Sequence, residues 1–550
     1  MRRPLLALAC VATIYAILAF AALPRNAFFS SDEGLKLIQL QNFVRKGFAG
    51  FSLDYPGRGL DPDLSYVPIN NPPPLIRDGT IYAAYPVFFP LLATPLFSLV
   101  GYAGLYVIPL VSGLLTLLFS CWLARINNTD GTPLVLILGL CTPLLFYSLL
   151  FWDHTLGTAL STLALLLLAK SLLKHRSSLL LVAGLILGLS IWVRTELYVM
   201  AIVMPLAYLV SSHGHWRRAL TLIGAICIGL VPLWVFQWLV YGNALGPHLG
   251  HFASLAEALP VTTNRLAIIY YTLLDAHSNP LITFLFIMAF VASTIVLWSR
   301  RLRRNPVLVG TVFGLLSLAI LPSLCEAWSG RPIGGLVATT PFLAYSFAAL
   351  SNRQPSSTDR MMTVVFVGYI SLVCLATPVD PGLQWGPRFL LPALPAGVLL
   401  AMSYHGTTIR EVRRSSISRT LTACLVAVLA VSLMSQVCGL QVMQVVKTRD
   451  QQLIEATAGL DSLYIVSDEY GYAQYVAPLF YEREFFYVRS QADYQALVET
   501  FLLNGIHRYA VTTYPAPHRQ AIDPLAVSGG YVVREMDQQL YEIERVEQSQ

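Results

Sequence analysis

The chain has 550 residues, of which 55% are hydrophobic and only 12% charged, and its formal charge is +6. Soluble domains carry roughly 25% charged residues, so the deficit excludes an ordinary water-soluble domain and points to lipid. The net charge is modest and no basic block interleaved with aromatics is present, which argues against nucleic acid as a partner.

The apolar residues gather into runs of about 20, enough to cross a hydrocarbon core of about 30 Å. In lipid such runs must be helices that satisfy their own backbone. In chain order they predict spans near residues 5–23, 103–124, 133–151, 155–171, 178–193, 197–211, 219–240, 281–298, 306–324, 336–350, 361–377, 388–404 and 419–442. The expected fold class is an α-helical polytopic membrane protein of about 13 transmembrane helices with a small C-terminal α/β domain outside the cytoplasm. The first run contains Ala19-Phe20-Ala21, a small-residue pattern like a signal-peptide cleavage site. It is longer than a signal core of about 7–15 residues, which favours an uncleaved first helix. The short runs flanking Arg194 fit a broken or re-entrant element as well as two spans.

Short cytoplasmic loops are enriched in Lys and Arg. Arg2-Arg3, Lys170 with Lys174 and Arg176, Arg217-Arg218, Arg300-Arg301 with Arg303-Arg304, Arg353 with Arg360, and Arg410 with Arg413-Arg414 and Arg419 all fall on one side of the span pattern. That side is the expected cytoplasm, which also holds the N-terminus, and the expected location is the plasma or inner membrane. The other side receives Asp32, Asp153, Arg194 with Glu196, the segment leading to Arg388, and the C-terminus. After residue 446 charge rises and strand-like alternation appears at 463–466, 485–488 and 509–512, with helices expected at 472–480 and 492–503. This divides the chain into a transmembrane core, 1–445, and an extracytoplasmic α/β domain, 446–550. Seven of the eight cysteines lie inside apolar runs and Cys325 at a helix edge, so they read as small core residues rather than a disulfide framework.

Ser30-Ser31-Asp32-Glu33 opens the first outer loop, and Leu37, Leu40, Phe43 and Val44 then share a helical face opposite Gln41, Asn42 and Arg45, as in a helix lying along a membrane surface. Ser30 with Glu33 fits a capping box. Asp32, a few residues from a span, equally suits a general base for a substrate presented at the interface. Trp152-Asp153-His154 is a second acidic site on the same side, where Asp153 fits either a helix cap or a functional carboxylate. Arg388, in Gly386-Pro387-Arg388-Phe389, starts an apolar helix, where a guanidinium calls for a phosphate or carboxylate partner or snorkels to the surface. Arg194 and Glu196 are expected to pair with each other or with neighbouring loops. His248 and His251 could reach one metal ion, but without a third ligand they read as loop histidines.

Four segments in this order resemble a known family: the loop acidic pair Asp32-Glu33, Tyr85-Pro86-Val87-Phe88-Phe89-Pro90-Leu91-Leu92, Trp152-Asp153-His154, and Gly386-Pro387-Arg388-Phe389-Leu390-Leu391-Pro392. The layout over residues 1–445 is similar to that of the GT-C glycosyltransferases, among them the protein O-mannosyltransferases and lipid A aminoarabinose transferases. The resemblance implies that Asp32 is the base or acceptor-orienting carboxylate, with Glu33 beside it, that Asp153 is the second outer-loop acidic residue, and that Arg388 faces the phosphate of a lipid donor. His154, Arg194 and Glu196 are supporting candidates. The chain carries a compact C-terminal domain where some members have His-Glu motifs or longer inserts.

The function expected is an inverting, single-displacement transfer of a sugar from a polyprenyl-phosphate donor to a hydroxyl of a glycan, lipid or protein acceptor at the outer face. No cofactor is expected, although Asp32, Glu33 and Asp153 offer the oxygen ligands a divalent ion takes. The competing readings are a transporter or flippase of a lipid-linked sugar, which would bury ionisable groups near mid-membrane, and a membrane anchor for an outer binding module.

Overall fold

The computed structural model describes residues 2–545 except 71, 251–264, 277–278, 353, 378–383, 413–415, 514–522, 524–530 and 538–539. Among the described residues, nine helices are long and apolar enough to cross a membrane: Arg2–Ala22, Tyr102–Ile126, His154–Lys174, Trp216–Tyr241, Pro280–Trp298, Pro306–Trp328, Ser357–Ala376, Arg388–Val412 and Ser416–Ala458. Shorter apolar helices include Gly131–Leu140, Ser177–Ser190, Leu197–Ser211 and Pro341–Ser351. Each of these helices overlaps a span read from the sequence, whereas Phe88–Val100 and Arg265–Leu274, also short and apolar, match none. The protein is thus a polytopic helical membrane protein with a small C-terminal sheet domain. The span expected at 133–151 is interrupted after Leu140, where Pro143, which has no N–H to donate, precedes the one-turn helix Leu144–Tyr147.

The chain divides into two compact units, Met1–Leu23 with Ala103–Val445, and Pro24–Tyr102 with Val446–Gln550. In the first unit, several hydroxyls within the apolar segments are satisfied locally. The buried hydroxyls of Thr142, Ser148, Thr158 and Thr162 donate to the carbonyls of Leu138, Leu144, His154 and Thr158, each one turn back. Small residues set the closest helix approach: a Cβ at Gly188 of Ser177–Ser190 would lie 2.5 Å from the Ile226 carbonyl of Trp216–Tyr241, and one at Gly184 2.5 Å from the Ala225 Cβ. A glycine pair spaced by four lets the two backbones touch where hydrophobic burial gives no drive in lipid.

In the second unit, the Ser31–Arg45 helix is enclosed on most of its surface. The one-sided surface helix expected from its pattern is therefore corrected: Val44 is exposed, whereas Asn42 is buried and its amide nitrogen donates to the Ser52 carbonyl. Strands β1 (Leu75–Arg77) and β2 (Thr80–Tyr82) form an antiparallel hairpin through Asp78 and Gly79, both at positive φ. Asp-Gly favours that turn. The C-terminal sheet contains β3 (Tyr464–Ser467), β4 (Glu484–Tyr487), β5 (Arg508–Thr512), β6 (Tyr531–Asp537) and β7 (Leu540–Arg545), in the order β4-β3-β5-β7-β6. β4 and β5 flank β3 in parallel, and β7 pairs antiparallel with β5 and β6. The first three strands fall where the alternation predicted them. Gln491–Leu503 is the expected second helix, closed by Asn504 and Gly505 at φ +73°.

Candidate functional site

The predicted residues fall into both units. Asp32 and Glu33 belong to the second, in the first turn of Ser31–Arg45. The capping box expected from Ser30 and Glu33 is not formed: the Ser30 side chain makes no cap bond, and Glu33, fully buried, instead accepts through Oε2 from the Phe29 N–H at 2.7 Å. Glu33 still satisfies a backbone donor at the helix entrance, one residue before the position a capping box would serve. Asp32, only partly buried, accepts from the Tyr85 hydroxyl at 2.5 Å, a short charge-assisted bond. Lys36, one turn further and 1% exposed, places its ammonium 4.8 Å from the centre of the Tyr85 ring. Gln39, the next residue on that side of the helix, donates to the Tyr85 carbonyl at 3.3 Å. One face of the helix thus holds the whole of Tyr85: hydroxyl, ring and backbone.

The start of this helix is seated by contact as well. A Cβ at Gly34 would lie 1.7 Å from the Gln474 carbonyl oxygen, and the Gln474 amide donates to the Ser31 carbonyl at 3.2 Å. Lys447 and Asp450, both buried and a turn apart on Ser416–Ala458, feel the charge of Glu33. In the loop after β3, burial pushes the Glu469 carboxyl up to about 7, with Arg449 opposing and Asp468 reinforcing the shift.

Asp153, His154, Arg194, Glu196 and Arg388 belong to the first unit. Asp153 stands at the N-cap of His154–Lys174 but makes no cap bond. Its fully buried carboxylate accepts instead from Arg194 Nη1 at 3.0 Å, and Arg194 Nε donates to Glu196 Oε1 and Oε2 at 2.8 and 2.9 Å. Arg194 and Glu196 pair as expected, and Asp153 joins them. His154 Nδ1 lies 3.4 Å from Glu196 Oε1. The next residue, Thr195, bonds His248 Nδ1 through its hydroxyl at 2.8 Å, while His251 lies outside the described residues. Among the described residues no three His, Cys, Asp or Glu side chains gather as a metal ion would need.

Arg388 opens the 3-10 turn Arg388–Ala393, and its N–H donates to Gln384 Oε1 at 3.2 Å. Its guanidinium lies 4.9 Å from the Trp152 ring centre and 5.2 Å from that of Phe389, and Phe389 also faces His154 and the Arg194 guanidinium. Gly386, at φ +60°, sits where a Cβ would lie 2.7 Å from Pro143, and its carbonyl accepts from the Tyr147 hydroxyl at 3.2 Å. Tyr147 in turn stacks on Trp152.

The four segments quoted above therefore pair off within the units. The acidic-pair segment is bonded to the Tyr85 segment, and the Trp152 segment is stacked against the Arg388 segment. The chain is similar to the apo crystal structure of the oligosaccharyltransferase of Archaeoglobus fulgidus, at 12% identity over 92% of this chain and 69% of that one, with a TM-score of 0.47. It is also similar to ArnT from Cupriavidus metallidurans, apo at 13% identity over 97% of each chain with a TM-score of 0.49, and bound to undecaprenyl phosphate at 13% over 98% of each with 0.45. No family model and no curated protein matches the chain. Lys36, Lys447 and Asp450 escaped the sequence reading. The available signal was, for Lys36, the spacing of four from Asp32 and, for Lys447 and Asp450, their spacing of three at the end of a long apolar run.

Proposed function

We propose that the protein is a membrane glycosyltransferase that moves a sugar from a polyprenyl-phosphate donor to a hydroxyl acceptor at the outer face, by one inverting displacement. The observation that carries the reading is the bond from Tyr85 to Asp32, which joins two of the resembling segments across 53 residues and fixes a carboxylate beside a buried lysine. In the proposed step the acceptor oxygen attacks the anomeric carbon, its proton passes to Asp32, and the bond from that carbon to the phosphate oxygen breaks with its electron pair on the phosphate. A hydroxyl becomes nucleophilic only as its proton leaves. Charge grows on the departing oxygen, so a guanidinium fixed between aromatic rings stabilises the transition state more than the ground state. Arg388 takes that part. Asp153 and Glu196 hold Arg194 in place beside Phe389 and act as positioning residues, with His154 packed against them. The polyprenyl phosphate leaves as a stabilised anion and needs no general acid, so one base suffices, and we read the reaction as independent of a divalent metal.

The test is the full chain in proteoliposomes with a radiolabelled polyprenyl-phosphate sugar and a set of hydroxyl acceptors. Transfer should occur and persist with EDTA, and Asp32→Asn should abolish it at unchanged membrane abundance. Translocation of the label without transfer would make the protein a flippase, and full transfer by Asp32→Asn would remove Asp32 as the base.

A further inference from the structure

At the opposite end of the first unit from any residue used above in the chain's motifs, the basic turn after Pro280–Trp298 borders a cleft of about 380 Å³. Its wall is formed by Ser299, Arg300 and Arg303 of that turn, Asn352 after Pro341–Ser351, and Tyr404 and Glu411 of Leu394–Val412. A water takes about 30 Å³ in the liquid, so the cleft has room for a phosphate group with its ester substituents.

The cationic side of the wall is built, not incidental. Arg303 is 6% exposed, donating through Nη1 to the Tyr404 hydroxyl at 3.0 Å and through Nη2 to Glu411 Oε2 at 2.5 Å. Tyr404 in turn donates to the Leu297 carbonyl, which locks the turn to the helix. Glu411 is shared: its other oxygen is 3.8 Å from Arg300, whose side chain is 70% exposed. One carboxylate thus faces two guanidiniums, and the wall keeps one net positive charge on the arginine that solvent reaches. Asn352 accepts the Gln354 N–H through Oδ1, which leaves its Nδ2 as a donor on the wall. Trp298, 50% exposed at the end of an apolar helix, lines the same cleft and suits the level of lipid headgroups.

We propose that this cleft binds a phosphate-bearing anion, with the headgroup of an anionic phospholipid as its occupant. Arg300 and Asn352 would donate to the phosphate oxygens, Arg303 would supply the buried charge behind them, and Trp298 would meet the glycerol and first methylenes. Basic pockets between transmembrane helices bind anionic headgroups by this combination of charge and interfacial aromatic contact.

The experiment uses the full chain in nanodiscs doped with photoactivatable phosphatidylglycerol or, separately, photoactivatable phosphatidylcholine, with crosslinks mapped by peptide mass spectrometry. Phosphatidylglycerol should label the peptides around 298–304, 351–352 and 404–411 preferentially, and phosphatidylcholine should not. Arg300→Gln should lower that labelling about fivefold, as loss of one basic contact to an anionic surface predicts. Glu411→Gln, which removes the competing carboxylate, should raise it, an opposite sign that general loss of structure cannot produce. Displacement by millimolar inorganic phosphate supports the anion site and assigns it to a soluble phosphate. Equal labelling by both lipids, or labelling indifferent to both substitutions, overturns the proposal.

Discussion

At the residue scale, the side chains on Tyr85 make the sharpest prediction. Its hydroxyl orients Asp32 and its ring carries the Lys36 ammonium, so the two functions separate by substitution. Tyr85→Phe deletes the hydroxyl and keeps the ring: turnover should fall about tenfold, as loss of a group positioning a general base predicts, with KM for the lipid donor unchanged. Tyr85→Leu also removes the face under Lys36 and should fall further and lose abundance. Equal activity of wild type and Tyr85→Phe in the steady-state assay would show that Asp32 is held by other means. Arg388→Lys keeps the charge but loses the planar group that lies 4.9 Å from the Trp152 ring centre and 5.2 Å from that of Phe389, and should reduce kcat more than it raises KM. Asp32 and Arg388 stand out in the sequence because each breaks an apolar stretch inside a short motif. The partner of Asp153 was not legible, because nothing local announces Arg194, 41 residues away, whose guanidinium rather than the helix N-terminus holds the carboxylate.

At the scale of elements, a span declares itself through twenty apolar residues, and so most helices were legible, although Ser416–Ala458 runs 16 residues past its expected end at 442, where the sequence turns polar. The interruptions were not, since Cys141-Thr142-Pro143 remains apolar enough to extend a run that the backbone breaks. Strands β6 and β7 were missed for a different reason: β6 is rich in charge, with Arg534, Glu535 and Asp537, and gains its place only by pairing with β7. Packing between helices rests on single atoms that composition hides. Gly188→Val would put a branched side chain where even a Cβ meets Ile226 O at 2.5 Å and Gly229 Cα at 2.9 Å, both backbone. The helices must part, at a cost of about 1–3 kcal/mol. Ser177–Ser190 runs directly into the turn carrying Arg194, so the variant should show a lower melting temperature in detergent together with reduced transfer. Loss of neither would mean that the two helices tolerate separation.

At the scale of the whole molecule, the sequence suggested a boundary at 446, yet residues 24–102 cluster with 446–550 in one unit. The close seat of Gly34 on Gln474 explains why a run of local composition cannot reveal this: the two residues are adjacent only after folding. Deleting the C-terminal segment would strip the Asp32 helix of its support, so loss of transfer on truncation would not identify a separate binding module. A pH-dependent substitution in this unit is more informative. Burial pushes Glu469 up to about 7 from an ordinary carboxyl value near 4.5. Below the ordinary value both folded and unfolded chains hold the proton and burial carries no ionic penalty. As pH rises from about 4.5 to about 7 the unfolded chain ionises first, so the stability associated with this group is lost across that window and stays lost above it. Glu469→Gln cannot ionise. Its melting temperature should therefore fall less than that of the wild type between pH 5 and pH 7.5, and at pH 7.5 the variant should be the more stable of the two. Parallel melting curves across that range, read from a probe of the C-terminal sheet, would show that the Arg449 charge offsets the burial of Glu469 completely.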